Sequence, residues 1–332
     1  MDVPRYDYPA DEWTAVIPSM EGSLSYSLEH FETSHNSRAG AVMRSLNVAL
    51  VHRHGTAGPD DEGYAAQMTS RAIEWIESLE SSPQMIDALW NSVRLSVAAR
   101  SAVDADGAGI DTWEAVVNAM QVGSALFRVA GATEGTVECR IHHEIRRLPA
   151  MGPKSFASAP NWLDAFWFAV ICRDQQRMTE LCQVPLDALR ASGAMHDEYL
   201  YHWVAALQAY WTRRQGDMVE ELTLAFQQSH PDAVRIAPRE WLQQISYPPI
   251  NLFYRFVKRD HEGFNSALVE ALELHKTYWN QEDRDFDVSG LWAIGPLAMA
   301  CFAYDGGFPI DVVSDYIPSE LLNRSWLDEF PT

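Results

Sequence analysis

The chain has 332 residues and a mass of 37.4 kDa, with 46 acidic against 25 basic side chains and a formal net charge of −21. That length allows one large domain or two ordinary ones, and 47% hydrophobic against 21% charged residues marks a chain that packs a core rather than a disordered one. So large an acidic excess argues against autonomous binding to nucleic acid or an anionic membrane, which the protein would repel. A basic partner is the natural complement.

The four cysteines, Cys139, Cys172, Cys182 and Cys301, form no CxxC pair and are too few for a disulfide-stapled scaffold. Their apolar surroundings suit buried thiols in a reducing cytosol. Residues 1–9 lack a basic n-region and an apolar h-region, so no signal peptide is read. No apolar run approaches the roughly 20 residues of a membrane helix. A soluble, cytoplasmic protein is expected, with neither membrane nor direct nucleic-acid partner.

In chain order, Ala39, Val42, Met43, Leu46 and the run Val48–Leu50 predict a first helix. A second opens at Pro59–Glu62, where proline and acids suit a first turn, and continues through Met68, Ala72, Ile76 and Leu79. A third runs from Pro83 to Ala98, and a fourth from Asp111 to Phe127. Then the period changes. Val137, Cys139, Ile141 and Ile145 alternate with polar residues between Gly135 and Pro149, predicting a half-buried strand or short hairpin near 136–147. A partner strand is sought near Asp104–Ile110 or in the N-terminal arm.

From residue 160 a weak repeat appears. Arg173–Met178, Arg213–Met218 and Arg259–Phe264 share a form, each between an apolar, aromatic segment and a second helical pattern. Asp305–Phe308 reads as a fourth, degenerate copy. The period suits stacked αα-hairpins of the solenoid type, although tetratricopeptide residues are absent. The competing reading is an irregular bundle whose hairpins resemble one another by chance. Proline-bearing breaks fall at Pro185, Pro238, Pro248–Pro249 and Pro309. The expected fold is mainly all-α over a single domain, 1–332. It has a helical part over 1–135, a β element over 136–150 and αα-hairpins over 160–332.

The charge is uneven. Residues 262–332 hold 13 acids against three bases, whereas 112–261 hold 16 against 15. The C-terminal stretch is either a solvated face that keeps the protein soluble or a docking surface for a cationic partner. Its candidate partner-binding residues are Glu282, Asp283, Asp285, Asp287, Asp305, Asp311 and Asp315.

Motifs for chemistry are few. No GxxxxGK[ST] loop or GxGxxG stands between a strand and a helix, and no HExxH or GxSxG is present. Asp104–Asp111 fails the calcium-loop pattern, because Ala108 and Ala115 stand where oxygen ligands are needed; a helix-connecting turn ending in an acidic N-cap is expected. On a strand, His142 and His143 would point to opposite faces and would not easily chelate one metal together. No catalytic, cofactor-binding or metal-binding residue is assigned. Paired carboxylates at Asp197–Glu198, Glu220–Glu221 and Asp283/Asp285 could in principle serve acid–base work, but the sequence does not distinguish them from ordinary surface acids. An alternative class is an enzyme or small-ligand-binding protein whose pocket is lined by Trp203, Tyr210, His202 and nearby carboxylates.

Long strings carry a resemblance: Thr112–Phe127, Glu134–Pro149, Asn161–Pro185, Glu198–Trp211, Ala237–Tyr254, Asp260–Asn265, Asp305–Pro318 and Trp326–Thr332. They are similar to the immunity 49 family of bacterial polymorphic-toxin systems, over roughly residues 110–332, with looser similarity from about residue 38. The resemblance implies a mainly α-helical protein that binds and neutralises a cognate toxin. It implies no catalytic residues and no cofactor. With the charge distribution, the toxin is expected to present a basic surface to the acidic C-terminal region.

Overall fold

The computed structural model describes residues 48–55 and 61–331. Three antiparallel-stacking helices form the N-terminal part: α1 (Asp61–Ser78), α2 (Ile86–Val103) and α3 (Ile110–Gly131). In α1, Ala65, Met68, Ala72 and Ile76 recur at three-to-four spacing and form the buried stripe, while Asp61 and Glu62 favour the positive end of the helix dipole. A 3₁₀ turn at Pro83–Met85 leads into α2. α3 is buried around most of its circumference. At Gly123, an added Cβ would stand 2.9 Å from the Trp90 ring and 3.1 Å from Ala165, so glycine permits this close approach.

Between α2 and α3, Asp104 is the acid that organises the turn. Its carboxylate accepts from the amides of Ala108 (2.9 Å) and Gly109 (2.8 Å). The turn is the expected one, but the N-cap is Gly109, and the acid serves it from five residues upstream.

The first expected helix is corrected at its described end. Residues 39–47 lie outside the described residues. Ala49–Val51 is a strand, β1, paired in parallel with β4 (Val312–Ser314) so that Ala49 faces Val312 and Val51 faces Ser314. Leu50 is exposed and Val51 buried, the alternation of a strand. The hydrogen-bond partners lie some 260 residues away, so no local pattern signals them.

The β element is a hairpin closed on itself: β2 (Thr136–Ile141) pairs antiparallel with β3 (Glu144–Pro149). Among the described residues it takes no further partner strand, from Asp104–Ile110 or elsewhere; the N-terminal arm before residue 48 lies outside them. Its turn is His142-His143, both at positive φ (50° and 67°), the pattern of a type I′ turn. Because Cys139 pairs with Arg146 and Val137 with Leu148, the inward set changes from odd to even positions across the turn. Ile145 is therefore exposed, and Arg146 and Leu148 are buried.

The repeat is physical. Helix α4 (Ala159–Ile171) turns into α5 (Gln175–Cys182), α7 (Glu198–Trp211) into α8 (Gln215–Gln228), and α9 (Tyr247–Val257) into α10 (His261–Trp279), with short α6 (Leu186–Arg190) between the first two pairs. At each turn the chain enters the left-handed region at one residue: Arg173, Arg213 and Arg259, and again at Gly307 after α11 (Ile294–Asp305). Each copy closes with the same pair of bonds. Asp174 N donates to Ala169 O and Arg173 N to Val170 O, and the pattern recurs at 214/213, 260/259 and 308/307. This is the Schellman arrangement, which satisfies carbonyls left open at a helix end. Five residues after each arginine, Met178, Met218 and Phe264 are buried. In the fourth copy Phe308 stands one residue past Gly307, and β4 and then α12 (Ser319–Leu322) follow in place of a long second helix.

The hairpins close around α11. Phe302 of α11 lies 6.2 Å from Phe166 of α4, 6.0 Å from Tyr210 of α7 and 6.1 Å from Phe256 of α9, between ring centroids. Helix α11 thus packs on α4, and one hydrophobic core contains residues from Val51 to Leu322. Residues 288–305 are apolar enough to cross a bilayer by composition, but α11 itself is 12 residues long and buried in this core.

The proline-rich stretch at 247–249 does not break the chain path. A helical turn at Arg239–Trp241 passes through a π-turn at Leu242–Ser246 into α9. Pro248 and Pro249 have no N–H to donate, and their rings crowd carbonyls four residues back. A wider turn is the local solution.

Candidate functional site

A cleft of about 860 Å³ opens between α2, α4, α7 and the π-turn on one side and α10 and the start of α11 on the other. Its walls are mainly apolar and aromatic, with Trp167, Trp203, Trp241, Tyr278, Trp279 and Trp292 contributing. The π-turn places Gln244, Ile245 and Ser246 along the wall. Gly290 backs onto Trp279 so closely that a Cβ there would overlap the indole.

Most titratable groups in the cleft are already engaged. Asp197 caps the chain at Arg235–Ala237, accepting backbone N–H bonds from Arg235 (2.6 Å), Ile236 (3.0 Å) and Ala237 (2.7 Å). Arg94 pairs with Asp164. The His275 Nε2 group bonds the Gly290 carbonyl at 2.8 Å, and burial lowers the His275 pKa to about 4, so the ring is neutral at pH 7. His196 is likewise lowered by burial. Among the described residues no nucleophile–base pair converges here.

The acidic loop Glu282–Asp287 joins one edge of the cleft. Arg284 stacks on Tyr278 (4.0 Å) and bonds Glu240 (3.0 Å), which adjoins Trp241. Glu282, Asp283 and Asp285 are exposed around it, and Asp283 also meets Arg284 at 3.2 Å. Asp287 caps the 3₁₀ turn Val288–Gly290, accepting from Ser289 N. Phe286 in the same loop is 78% exposed, and Met195 (81%) and Ile236 (53%) project beside cleft-lining residues. Exposed apolar side chains next to an aromatic hollow and a charged edge make a docking-type surface.

The remaining candidate acids lie elsewhere. Asp311 is exposed before β4, with its backbone N–H donating to Asn265 Oδ1. Asp315, after β4, accepts from the Arg53 amide (3.4 Å) and lies 3.6 Å from His52. Asp305 is a correction: its side chain is 0% exposed and bonds Arg173, so it belongs to the interior and not to a contact surface. Of the alternative pocket's named residues, Trp203 lines the cleft, together with the carboxylates Asp164 and Asp197, whereas His202 and Tyr210 do not. His202 pairs with Glu221 at 2.7 Å on the α7–α8 hairpin, and Tyr210 lies in the core. Trp241, Tyr278 and Trp292 went unnoticed in the sequence. Their abundance was visible, but their convergence from distant segments was not.

The reading of His142 and His143 is also corrected. They occupy the hairpin turn, where successive side chains need not alternate, and both rings approach Glu114 of α3: His142 Nδ1 at 3.7 Å and His143 Nε2 at 2.7 Å.

A closed helical-hairpin protein with an aromatic cleft and an acidic edge is the class these features define. The model of the family described as Immunity protein 49 matches residues 104–321, and the chain belongs to that family. The match covers α3, the β hairpin, the helical hairpins from α4 onward and the cleft walls they supply, leaving α1 and α2 outside. No curated protein and no solved structure matches the chain.

Proposed function

We propose that the protein neutralises a cognate toxin by seating the toxin's basic active or substrate-binding surface against the acidic, aromatic edge of the cleft. The observation that carries this reading is the linkage of the Glu282–Asp287 loop to the cleft wall through Arg284, Glu240 and Tyr278. Exposed carboxylates attract a cationic surface over long range and set the association rate, while desolvated aromatics set the dissociation rate. The family supports a proteinaceous partner. A cytosolic site of action fits four cysteines that are all free and buried.

The test is binding of the full chain to the toxin domain encoded beside its gene, followed by stopped-flow and dissociation kinetics. Charge reversal at Asp283 and Asp285 is expected to slow association about tenfold and flatten its salt dependence; adding reversal at Asp311 and Asp315 tests whether the surface extends to β4. Ile236→Ala and Trp241→Ala are expected to speed dissociation. Unchanged kinetics in both sets would overturn the proposed surface. A second reading, an apolar small molecule in the cleft, is favoured by its volume, which lies in the range of ligand pockets. Such a ligand would quench Trp203 or Trp241 fluorescence without the toxin.

A further inference from the structure

We propose that Glu114, His142 and His143 form a zinc-binding site that clasps the β hairpin to α3. Their ligand atoms lie within 4.8 Å of one another. The Glu114 carboxylate is shared, 2.7 Å from His143 Nε2 and 3.7 Å from His142 Nδ1. An ion about 2.0–2.2 Å from each atom in a tetrahedral shell needs the atoms about 3.4 Å apart, so the widest gap closes by roughly an ångström through side-chain movement. Two imidazoles and one carboxylate suit a borderline cation such as Zn²⁺, whereas Ca²⁺ and Mg²⁺ want oxygen shells.

The ligands are held before any ion arrives. Glu114, Asn118 and Gln121 share one face of α3 by their i, i+4, i+7 spacing. Gln121 Oε1 accepts the His142 backbone N–H at 2.9 Å and its Nε2 donates to Pro331 O at 3.2 Å, fixing the turn against the helix. Asn118 Nδ2 lies 3.4 Å from His142 Nδ1, a long contact that an ion would replace. Phe330 packs 5.1 Å from the His143 ring and covers one side. The side chains of Glu114, His142 and His143 remain 23%, 20% and 40% exposed, which leaves an entry path and a fourth position for water. Type I′ turns favour Asn-Gly, so two adjacent histidines at positive φ gain nothing for the turn itself. The four thiols, all buried, do not compete for an added ion.

The experiment is titration of the chelator-treated full chain with ZnCl₂, read by calorimetry and by Tm. The expected result is one site with a Kd of about 1 µM or below and a Tm that rises with Zn²⁺, with MgCl₂ and CaCl₂ inert. Glu114→Gln is expected to weaken binding about tenfold or more. The double variant His142→Asn with His143→Gly keeps the best turn residues, so it should match or exceed the wild-type Tm without Zn²⁺ yet lose the Zn²⁺-dependent rise. Equal Zn²⁺ affinity in that variant, no binding at 100 µM Zn²⁺, or an equal response to Mg²⁺ would each overturn the site.

Discussion

Arg173 and Asp305 meet in the protein interior, with Arg173 Nε 3.0 Å from Asp305 Oδ2 and neither side chain more than 1% exposed. Arg173 caps the first helical hairpin, and Asp305 ends α11. The same guanidinium donates to the carbonyls of Ile171 (2.8 Å), Leu321 (2.7 Å) and Leu322 (2.8 Å), and Arg324 Nε approaches Asp305 Oδ1 at 3.5 Å. One ion pair therefore ties the hairpin α4–α5 to the end of α11 and closes the stack.

Breaking that pair strands a charge away from water. Asp305→Ala is expected to lower stability by about 3–5 kcal/mol. The double variant Arg173→Met with Asp305→Leu should lose less than the sum of the two single changes, because no uncompensated charge remains. Urea unfolding at pH 7 measures both. Additive losses would show that the two residues act independently.

Arg213 sits at a φ of 59° at an exposed turn, a conformation that costs a side chain about 1 kcal/mol relative to glycine. Arg213→Gly is expected to raise stability by up to roughly 0.5 kcal/mol after the extra freedom it gives the unfolded chain. Arg213→Ala, which keeps the Cβ, should show little of that gain. Thermal unfolding of the two variants distinguishes relief of strain from loss of charge.

Gly290 leaves no room for a methyl group beside Trp279. Gly290→Ala is expected to displace the indole, disturb the His275–Gly290 hydrogen bond and cost about 1–3 kcal/mol. A lower Tm with altered tryptophan emission is the expected pair of readouts. A Tm within a degree of wild type would show that the cleft wall yields freely.

The neutral His275 makes stability depend on acid. With a native pKa of about 4 against 6.5 for the free side chain, the unfolded chain takes up a proton over that interval that the folded chain refuses. The His275 contribution is fully present above about pH 6.5 and is lost progressively as pH falls toward 4, on the order of 3 kcal/mol in all. His54, which bonds Tyr316 at 2.7 Å, is shifted in the same direction by burial. Urea midpoints measured from pH 7 to 4.5 should fall less steeply for His275→Gln than for the wild type.

Local patterns were legible where they acted locally. The stripe Ala65, Met68, Ala72 and Ile76 marks α1, and the arginine-containing turns mark helix ends that the structure closes with one repeated bond pattern. The β hairpin was legible as alternation, but its turn was not: the change of parity at His142-His143 turns Ile145 outward and Arg146 inward. For β1, the apolar run Val48–Leu50 suited a helix, and only the distant strand at Val312–Ser314 gave it a different partner.

The candidate site divides in the same way. Acidity of residues 282–287 is a property of sequence, and so is the richness in tryptophan. That Asp305 lies inside while Asp283 and Asp285 border a cleft depends on which groups the fold withdraws from water. Desolvation and pairing are set by neighbours that sequence distance does not report. The sequence by itself determined the helical periods, the capped turns and the family; the tertiary structure decided which histidines converge on Glu114, which acid is buried against Arg173, and that Trp203 and Trp241 line one cleft. Periodicity is written in adjacent residues, whereas convergence requires chain closure across hundreds of them.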